Sequence, residues 1–386
     1  MPGPLSGIRV VDLTLMVLGP VATQILGDMG AEVIKVEPPG GDPMRYTGPA
    51  RSEGMSAMYM TMNRNKRSIV LDLKKPGDSA NFLRIVDKSD VVVHNMRPSA
   101  AQRLGISYDA LSERNPRVIV ACAPGFRQDG PYAARPAYDD IIQGMSGLAG
   151  MNLRAGGQAR FMPTALCDKL VGYVLASSIG MALFARERSG QGQEVVVPMF
   201  ETMVAFNMLD HLYGGTFEQT AEAIGYPRLL SPHRHPYSTK DGYVCVMAHT
   251  DEQWRRLFGA IGRPELAEDE RYAKVGPRTT NMRDLQILMG ECMATRTTAE
   301  WRAALDKADV PNGPMHRLED LFNDEQLKQT GFFQPWAHPT EGPIVMAAVS
   351  VGFSATPAET RSGPPRLDQD HDSIAREFGF SPETEQ

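Results

Sequence analysis

At 386 residues the chain is long enough for two or three domains of ordinary size, and its 42% hydrophobic and 22% charged residues are those of a folded globular protein. That composition excludes a disordered, collagen-like or coiled-coil chain. Lysine plus arginine at 40 against aspartate plus glutamate at 46 leaves a net charge of -6, which excludes wholesale wrapping of nucleic acid and requires any anionic ligand to be met by a local basic pocket.

In chain order, residues 7–13 read as a short strand, 20–29 as a helix opened by proline and 31–37 as a second strand, which is one β-α-β unit. The alternation continues with strands at 68–73, 90–94 and 117–122 and helices at 78–87 and 108–114. After an interruption, 168–187 reads as one long helix, 193–197 as a buried strand and 200–212 as a helix. Six strands alternating with helices predict an α/β fold whose large domain, 1–210, holds a six-stranded parallel sheet with helices on both faces. A linker, 211–225, leads to a smaller α+β domain at 226–325, opened by two strands within 237–249 that turn at Lys240-Asp241-Gly242. Helical spacing follows at 252–261, 282–295 and 299–307, and a last strand is expected at 344–353 within the C-terminal segment 326–386.

Cys122, Cys167, Cys245 and Cys292 lie far apart with no CxxC spacing and read as reduced core residues. The first eight residues lack a signal-peptide pattern, and the longest apolar run, 170–185, is short and rich in Gly, Ala and Ser for a membrane span. The expectation is a cytoplasmic protein with no membrane or nucleic-acid partner.

Nucleotide signatures fail: no GxGxxG follows a strand and no GxxxxGK precedes Ser or Thr. Glu37 after the second strand imitates a dinucleotide-binding acid but reads as well as a surface glutamate. Gly144-Met145-Ser146-Gly147-Leu148 lacks the last glycine of a nucleophile elbow. No HExxH occurs, and His233 and His235 have no third ligand in spacing, so no metal site is expected. Basic residues cluster in Asn63-Arg64-Asn65-Lys66-Arg67 and recur as Arg97 and Arg103 after a strand end, where ligands of open α/β sheets bind. A run of charges is usually a solvated face, with a phosphate contact the less favoured reading.

The most informative stretch is Pro163 to Tyr173, which leads into a helix apolar nearly all the way round and therefore expected to be buried. Asp168 at its start sits in the positive field of the helix N-terminus, which favours the ionised carboxylate that nucleophilic attack requires. Aspartate is also a favoured N-cap, so the residues alone leave capping and catalysis both open.

Several segments together resemble the class III CoA-transferases, the group of formyl-CoA and carnitine CoA-transferases. They are residues 5–13, Gly30-Ala31-Glu32-Val33-Ile34-Lys35-Val36-Glu37, Asn63 to Ser68, Gly125-Phe126 with Gly130-Pro131-Tyr132, Tyr138-Asp139, and the helix from Asp168 through Arg188-Ser189-Gly190-Gln191-Gly192-Gln193. The resemblance spans nearly the whole chain and implies a Rossmann-like large domain, an interlocked homodimer and a C-terminal segment returning to the large domain. It implies transfer of CoA from an acyl-CoA to a free carboxylic acid, with no prosthetic group, through anhydride and aspartyl-CoA thioester states on Asp168. As CoA contacts it implies Leu15, Met16, Val17 and Leu18; Leu71, Asp72, Leu73 and Lys74; Asn95, Met96 and Arg103; and Arg135 and Tyr138 nearer the reacting centre, while Arg97 joins them by its place after a strand end.

Two departures bear on the substrate. Val17 stands where the formyl-CoA transferases carry a glutamine, and their glycine-rich flap is missing before Lys240, so formate and oxalate are disfavoured and an apolar Leu15–Leu18 loop points to a larger acyl group. The related α-methylacyl-CoA racemases use a histidine where this chain has Tyr138, a poor base at neutral pH, which favours transfer over racemisation. A non-catalytic acyl-CoA-binding protein is the remaining alternative.

Overall fold

The computed structural model describes residues 3–218 and 220–380. They form two compact units, one of Met1–Gly147, Phe161–Phe206 and Glu325–Gln386, the other of Leu148–Arg160 and Asn207–Asp324.

The first unit is built on a six-stranded parallel sheet of β1 (Arg9–Asp12), β2 (Glu32–Glu37), β3 (Lys66–Val70), β4 (Val91–His94), β5 (Ile119–Cys122) and β6 (Glu194–Val196), in the order β3-β2-β1-β4-β5-β6. The expected α/β class and sheet are present. Valine and isoleucine fill the central strands because both faces are covered: Val11, Ile34, Ile69, Val92 and Val120 pack under the helix Pro76–Val86 and the C-terminal helix His371–Phe378. The strand order reverses between β1 and β4, so the loops leaving their carboxyl ends diverge and open a crevice.

Two strands and two site readings differ from expectation. β3 starts at Lys66, inside the basic run, because the Lys66 ammonium is buried against Asp12 at 3.0 Å and so tolerates a strand position in the core. The basic run is accordingly no phosphate site: Arg64 pairs with Asp28 at 2.8 Å, and Arg67 pairs with Glu32 at 2.6 Å and Glu377 at 2.7 Å. Glu37 is no surface residue either, since both its oxygens are held by Arg45 at 2.8 and 2.7 Å inside the core. β6 is an edge strand paired only with β5, and it is largely exposed rather than buried.

Near the C-terminus, β10 (Phe333–His338) and β11 (Gly342–Ala347) form an antiparallel pair, so the last strand ends well before Phe353. In the second unit β7 (Tyr237–Ser238), β8 (Tyr243–Val246) and β9 (Asn312–Pro314) make a small antiparallel sheet, with the expected turn closed by Thr239 N–H donating to the Gly242 carbonyl at 2.9 Å. Its helices Asp251–Ala260 and Thr298–Lys307 open with reciprocal capping boxes, Thr250 with Gln253 and Thr297 with Glu300, and bury Trp254, Phe258, Trp301 and Leu305. Of the cysteines, Cys122 and Cys167 are buried, Cys292 is half-buried and Cys245 is exposed; all four are free.

The long helix runs from Leu166 to Ser189, and it is the one helix among the described residues long and apolar enough to cross a membrane. It is a core helix on one side only. Val171, Leu175, Ile179 and Leu183 are buried, whereas Tyr173, Met181 and Phe184 are 61%, 70% and 60% exposed. The expectation of a helix buried all round therefore fails for the single chain: its apolar residues form two faces, and the chain supplies a partner for only one.

Candidate active site

The loop after β1 is fixed before any ligand arrives. Asn95, just beyond β4, donates its amide to the Leu15 carbonyl at 2.8 Å and accepts the Leu15 N–H at 3.1 Å. Met16 adopts a left-handed φ of 70°, a costly conformation for a side-chain-bearing residue, and its N–H is held by Asp42 at 3.1 Å. Asp42 in turn meets the buried Lys35 ammonium at 3.1 Å. Val17 and Leu18 turn inward; Val17 packs with Met44, Met55, Tyr59 and Met62. Val17 and Leu18 thus serve the core, while Leu15 and Met16 stay half-buried, so only the first half of the loop is left to face an acyl group.

Beneath the loop lies a buried polar network. The Asp12 carboxylate accepts the Thr14 N–H at 2.9 Å, the Thr23 hydroxyl at 2.7 Å and the Lys66 ammonium at 3.0 Å. Burial alone would raise its pKa, but Lys66, Lys35 and the two hydroxyls overcome that cost and hold it at about 2.

Leu71 to Lys74 leave the carboxyl end of β3, with Leu71 buried, Leu73 packed on the core and Lys74 exposed. Met96 packs on the same core, and Arg97 stands at the N-cap of the helix Pro98–Arg103, which ends on Arg103. Arg97 and Arg103 are exposed and have no carboxylate partner among the described residues, unlike the arginines of the earlier basic run. Arg135 lies over the Tyr132 ring at 4.2 Å, and Tyr138, 67% exposed, is the N-cap residue of the helix Asp139–Met145.

Asp168 is the residue whose setting differs most from expectation. Ala165, not Asp168, is the N-cap of the long helix, and it makes no side-chain cap. The capping is done from a neighbouring helix: Asp139 accepts the Asp168 N–H at 2.9 Å, and its other oxygen is fixed by Gln143 at 2.5 Å. Gln143, fully buried, also accepts the Met162 N–H at 2.7 Å and so ties down the approach to the helix. No spacing in the sequence marks Asp139 or Gln143 as supports for the site; Tyr138-Asp139, within the resemblance, is the signal that points there.

With its helix capped by another residue, the Asp168 carboxyl has no structural bond to make. It is half-buried, and burial, reinforced by the Asp139 carboxylate, raises its pKa to about 7. Desolvation and a like charge oppose the helix field, worth about 0.3–1 kcal/mol, and leave the carboxyl partly ionised at neutral pH. The adjacent Cys167 thiol is pushed up to about 12 by burial, then by Asp139 and Asp168, which leaves it protonated.

Glycine sets where this helix lies. A Cβ on Gly172, one turn after Asp168, would meet the Leu18 carbonyl oxygen at 2.7 Å, so only glycine allows the helix this close to the start of Leu18–Asp28. Gly125 plays the same part against Ala137, whose Cβ would be 2.3 Å from an added one, and so seats the segment that carries Tyr138. Asp168 lines neither of the larger cavities of this unit, one of about 610 Å³ bordered by Val21, Ile25, Tyr173 and Met346 and one of about 560 Å³ bordered by His94 and Cys122. Among the described residues no group of three or more His, Cys, Asp or Glu could hold a metal ion.

The sequence model of CoA-transferase family III matches residues 5–371. Acetyl-CoA:oxalate CoA-transferase of Acetobacter aceti is 36% identical over 97% of this chain and 96% of its own length. Succinate–glutarate CoA-transferase of Agrobacterium fabrum is 35% identical over 85% of this chain and 84% of its own. The crystal structure of a CAIB/BAIF family protein from Brucella suis superposes with a TM-score of 0.81 at 30% identity, covering 98% of this chain and 100% of that one. The acid-capped helix, the divergent loops of the parallel sheet and these likenesses lead to one assignment: the chain belongs to CoA-transferase family III, enzymes that transfer CoA from an acyl-CoA to a carboxylic acid.

Proposed function

We propose that Asp168 is the nucleophile of this transfer. The reading is carried by one observation: a half-buried carboxyl at the start of a helix that a second carboxylate, Asp139, already caps. Ionised Asp168 attacks the thioester carbonyl of the acyl-CoA, giving an acyl-aspartyl anhydride and CoA thiolate. The thiolate attacks the aspartyl carbonyl, releases the first acid as its carboxylate and leaves an aspartyl-CoA thioester. The acceptor carboxylate attacks that thioester, and the expelled thiolate takes the acyl group from the new anhydride, restoring Asp168. Thioester energy is retained only while water is kept from the anhydride.

For CoA, the exposed Arg97, Arg103 and Lys74 supply charge at the carboxyl ends of β3 and β4, where an open α/β sheet receives a ligand. The clamped loop Leu15–Leu18 offers fixed backbone groups, and Arg135 and Tyr138 offer exposed side chains towards the pantetheine arm. Because Val17 and Leu18 face the core, small polar acids stay in the panel of acceptors. The relatives are named for oxalate and for succinate with glutarate, so short dicarboxylates head that panel. An interlocked homodimer accounts for the second apolar face of the long helix, with Tyr173, Met181 and Phe184 covered by the partner chain. The experiment is a matrix of acyl-CoA donors and acceptor acids read by mass spectrometry. Formation of a new acyl-CoA that fails in Asp168→Asn supports the reading; an undiminished rate in that variant overturns it.

A further inference from the structure

The smaller unit contains a cavity of about 610 Å³ whose cations lack counter-charges. Arg228 and Arg234 both line it, no aspartate or glutamate does, and among the described residues neither arginine has a carboxylate partner. Arg228 is half-buried and Arg234 exposed, and among the described residues the Arg228 guanidinium donates at the solvent-exposed rim to the Met247 thioether at 2.8 Å. A thioether is a weak acceptor, so the guanidinium keeps donors for an anion. Tyr237, buried and also in the lining, has a hydroxyl with no partner among the described residues and can donate to the same anion. The lining also holds the apolar Trp254, Leu257, Met282 and Met289, and Asn312, whose amide oxygen is buried without a partner among the described residues.

A cationic, hydrogen-bonding end joined to an apolar body defines its ligand. We propose that this cavity binds a free carboxylic acid with an apolar body, its carboxylate held by Arg228, Arg234 and the Tyr237 hydroxyl and its body against Trp254 and Met289. The fork of the guanidinium matches a carboxylate in plane, and burial of the remainder supplies the affinity. Such an acid belongs to the class that CoA transfer consumes and releases, but its binding here needs no covalent step and does not depend on the role of Asp168.

Trp254 lines the cavity and reports on it directly. The full-length protein is titrated with 3-phenylpropionate and with its neutral isostere 3-phenylpropanamide, read by tryptophan fluorescence and by calorimetry. Saturable binding of the acid, at least tenfold tighter than the amide, is expected. Arg228→Gln lowers acid affinity at least tenfold and leaves amide affinity unchanged, and Tyr237→Phe lowers it about threefold. Asp168→Asn binds like the parent, so loss of transfer and loss of this site are read apart. Equal affinity for acid and amide in the parent protein, or no saturable binding of either, overturns the proposal without reference to any variant, as does an Arg228→Gln protein that binds the acid like the parent.

Discussion

Asp168 carries opposite demands for stability and for chemistry. Its pKa is raised in the folded chain to about 7 from an ordinary value near 4, so the folding stability it contributes is complete below about pH 4 and is lost as pH rises through 7. Replacing it with asparagine therefore removes a buried charge. After allowance for solvent screening, Asp168→Asn is expected to stabilise the protein by about 1–2 kcal/mol at pH 8 and by nothing at pH 4, in denaturant titrations at the two pH values. If Asp168 is the nucleophile proposed above, the same shift predicts that kcat/KM in the parent rises with pH to a plateau with a midpoint near 7, the ionised form being the one that would attack. Asp139→Asn keeps an oxygen to accept the Asp168 N–H but removes the like charge, so the midpoint should move down. An unchanged profile would mean that another group sets it. The sequence placed an acid at this helix start but not its environment. Spacing along the chain left capping and catalysis open because the residue that caps, Asp139, is 29 positions away.

Elements, more than single side chains, position this acid. Gly172 allows the long helix to lie against the start of Leu18–Asp28, and Asn95 pins the loop that leads into that helix. Gly172→Ala forces backbone apart and is expected to cost about 2 kcal/mol in chemical denaturation and to lower kcat more than it changes KM for acyl-CoA. Arg103→Gln, on an exposed helix end, should do the reverse: a several-fold rise in KM for acyl-CoA with the melting temperature unchanged. The six strands were legible from β-branched runs at regular intervals, because a sheet covered on both faces demands them. Strand β3 was displaced in that reading because Lys66 looks like loop chemistry until its buried partner, Asp12, is known. β10 was missed because Phe333-Gln334-Pro335-Trp336 carries a proline and polar residues suited only to an isolated two-stranded pair.

For the whole molecule, the buried ions under the β1 loop couple the fold to acid. Asp12 is held at about 2, below its ordinary value near 4, so the stability it contributes is present above pH 4 and is lost between about pH 4 and 2. That amounts to about 2 kcal/mol, and Asp12→Asn should flatten the acid limb of the stability curve over that interval. The segment Leu148–Arg160 joins the smaller unit although its sequence neighbours belong to the larger one, and no local pattern signals such an excursion. The exposed face of the long helix was likewise unreadable, since an apolar helix with two partners and one with a single partner have the same composition. In light scattering the protein should have twice the mass of its chain, and Phe184→Asp should weaken that association.

The proposed turnover passes through a covalent aspartyl thioester, which trapping tests. Incubation with acyl-CoA and hydroxylamine, followed by peptide mass spectrometry, should convert Asp168 to its hydroxamate and inactivate the enzyme, with neither change when acyl-CoA is omitted. An enzyme that keeps turning over with Asp168 unmodified, or one labelled at a different residue, would contradict it.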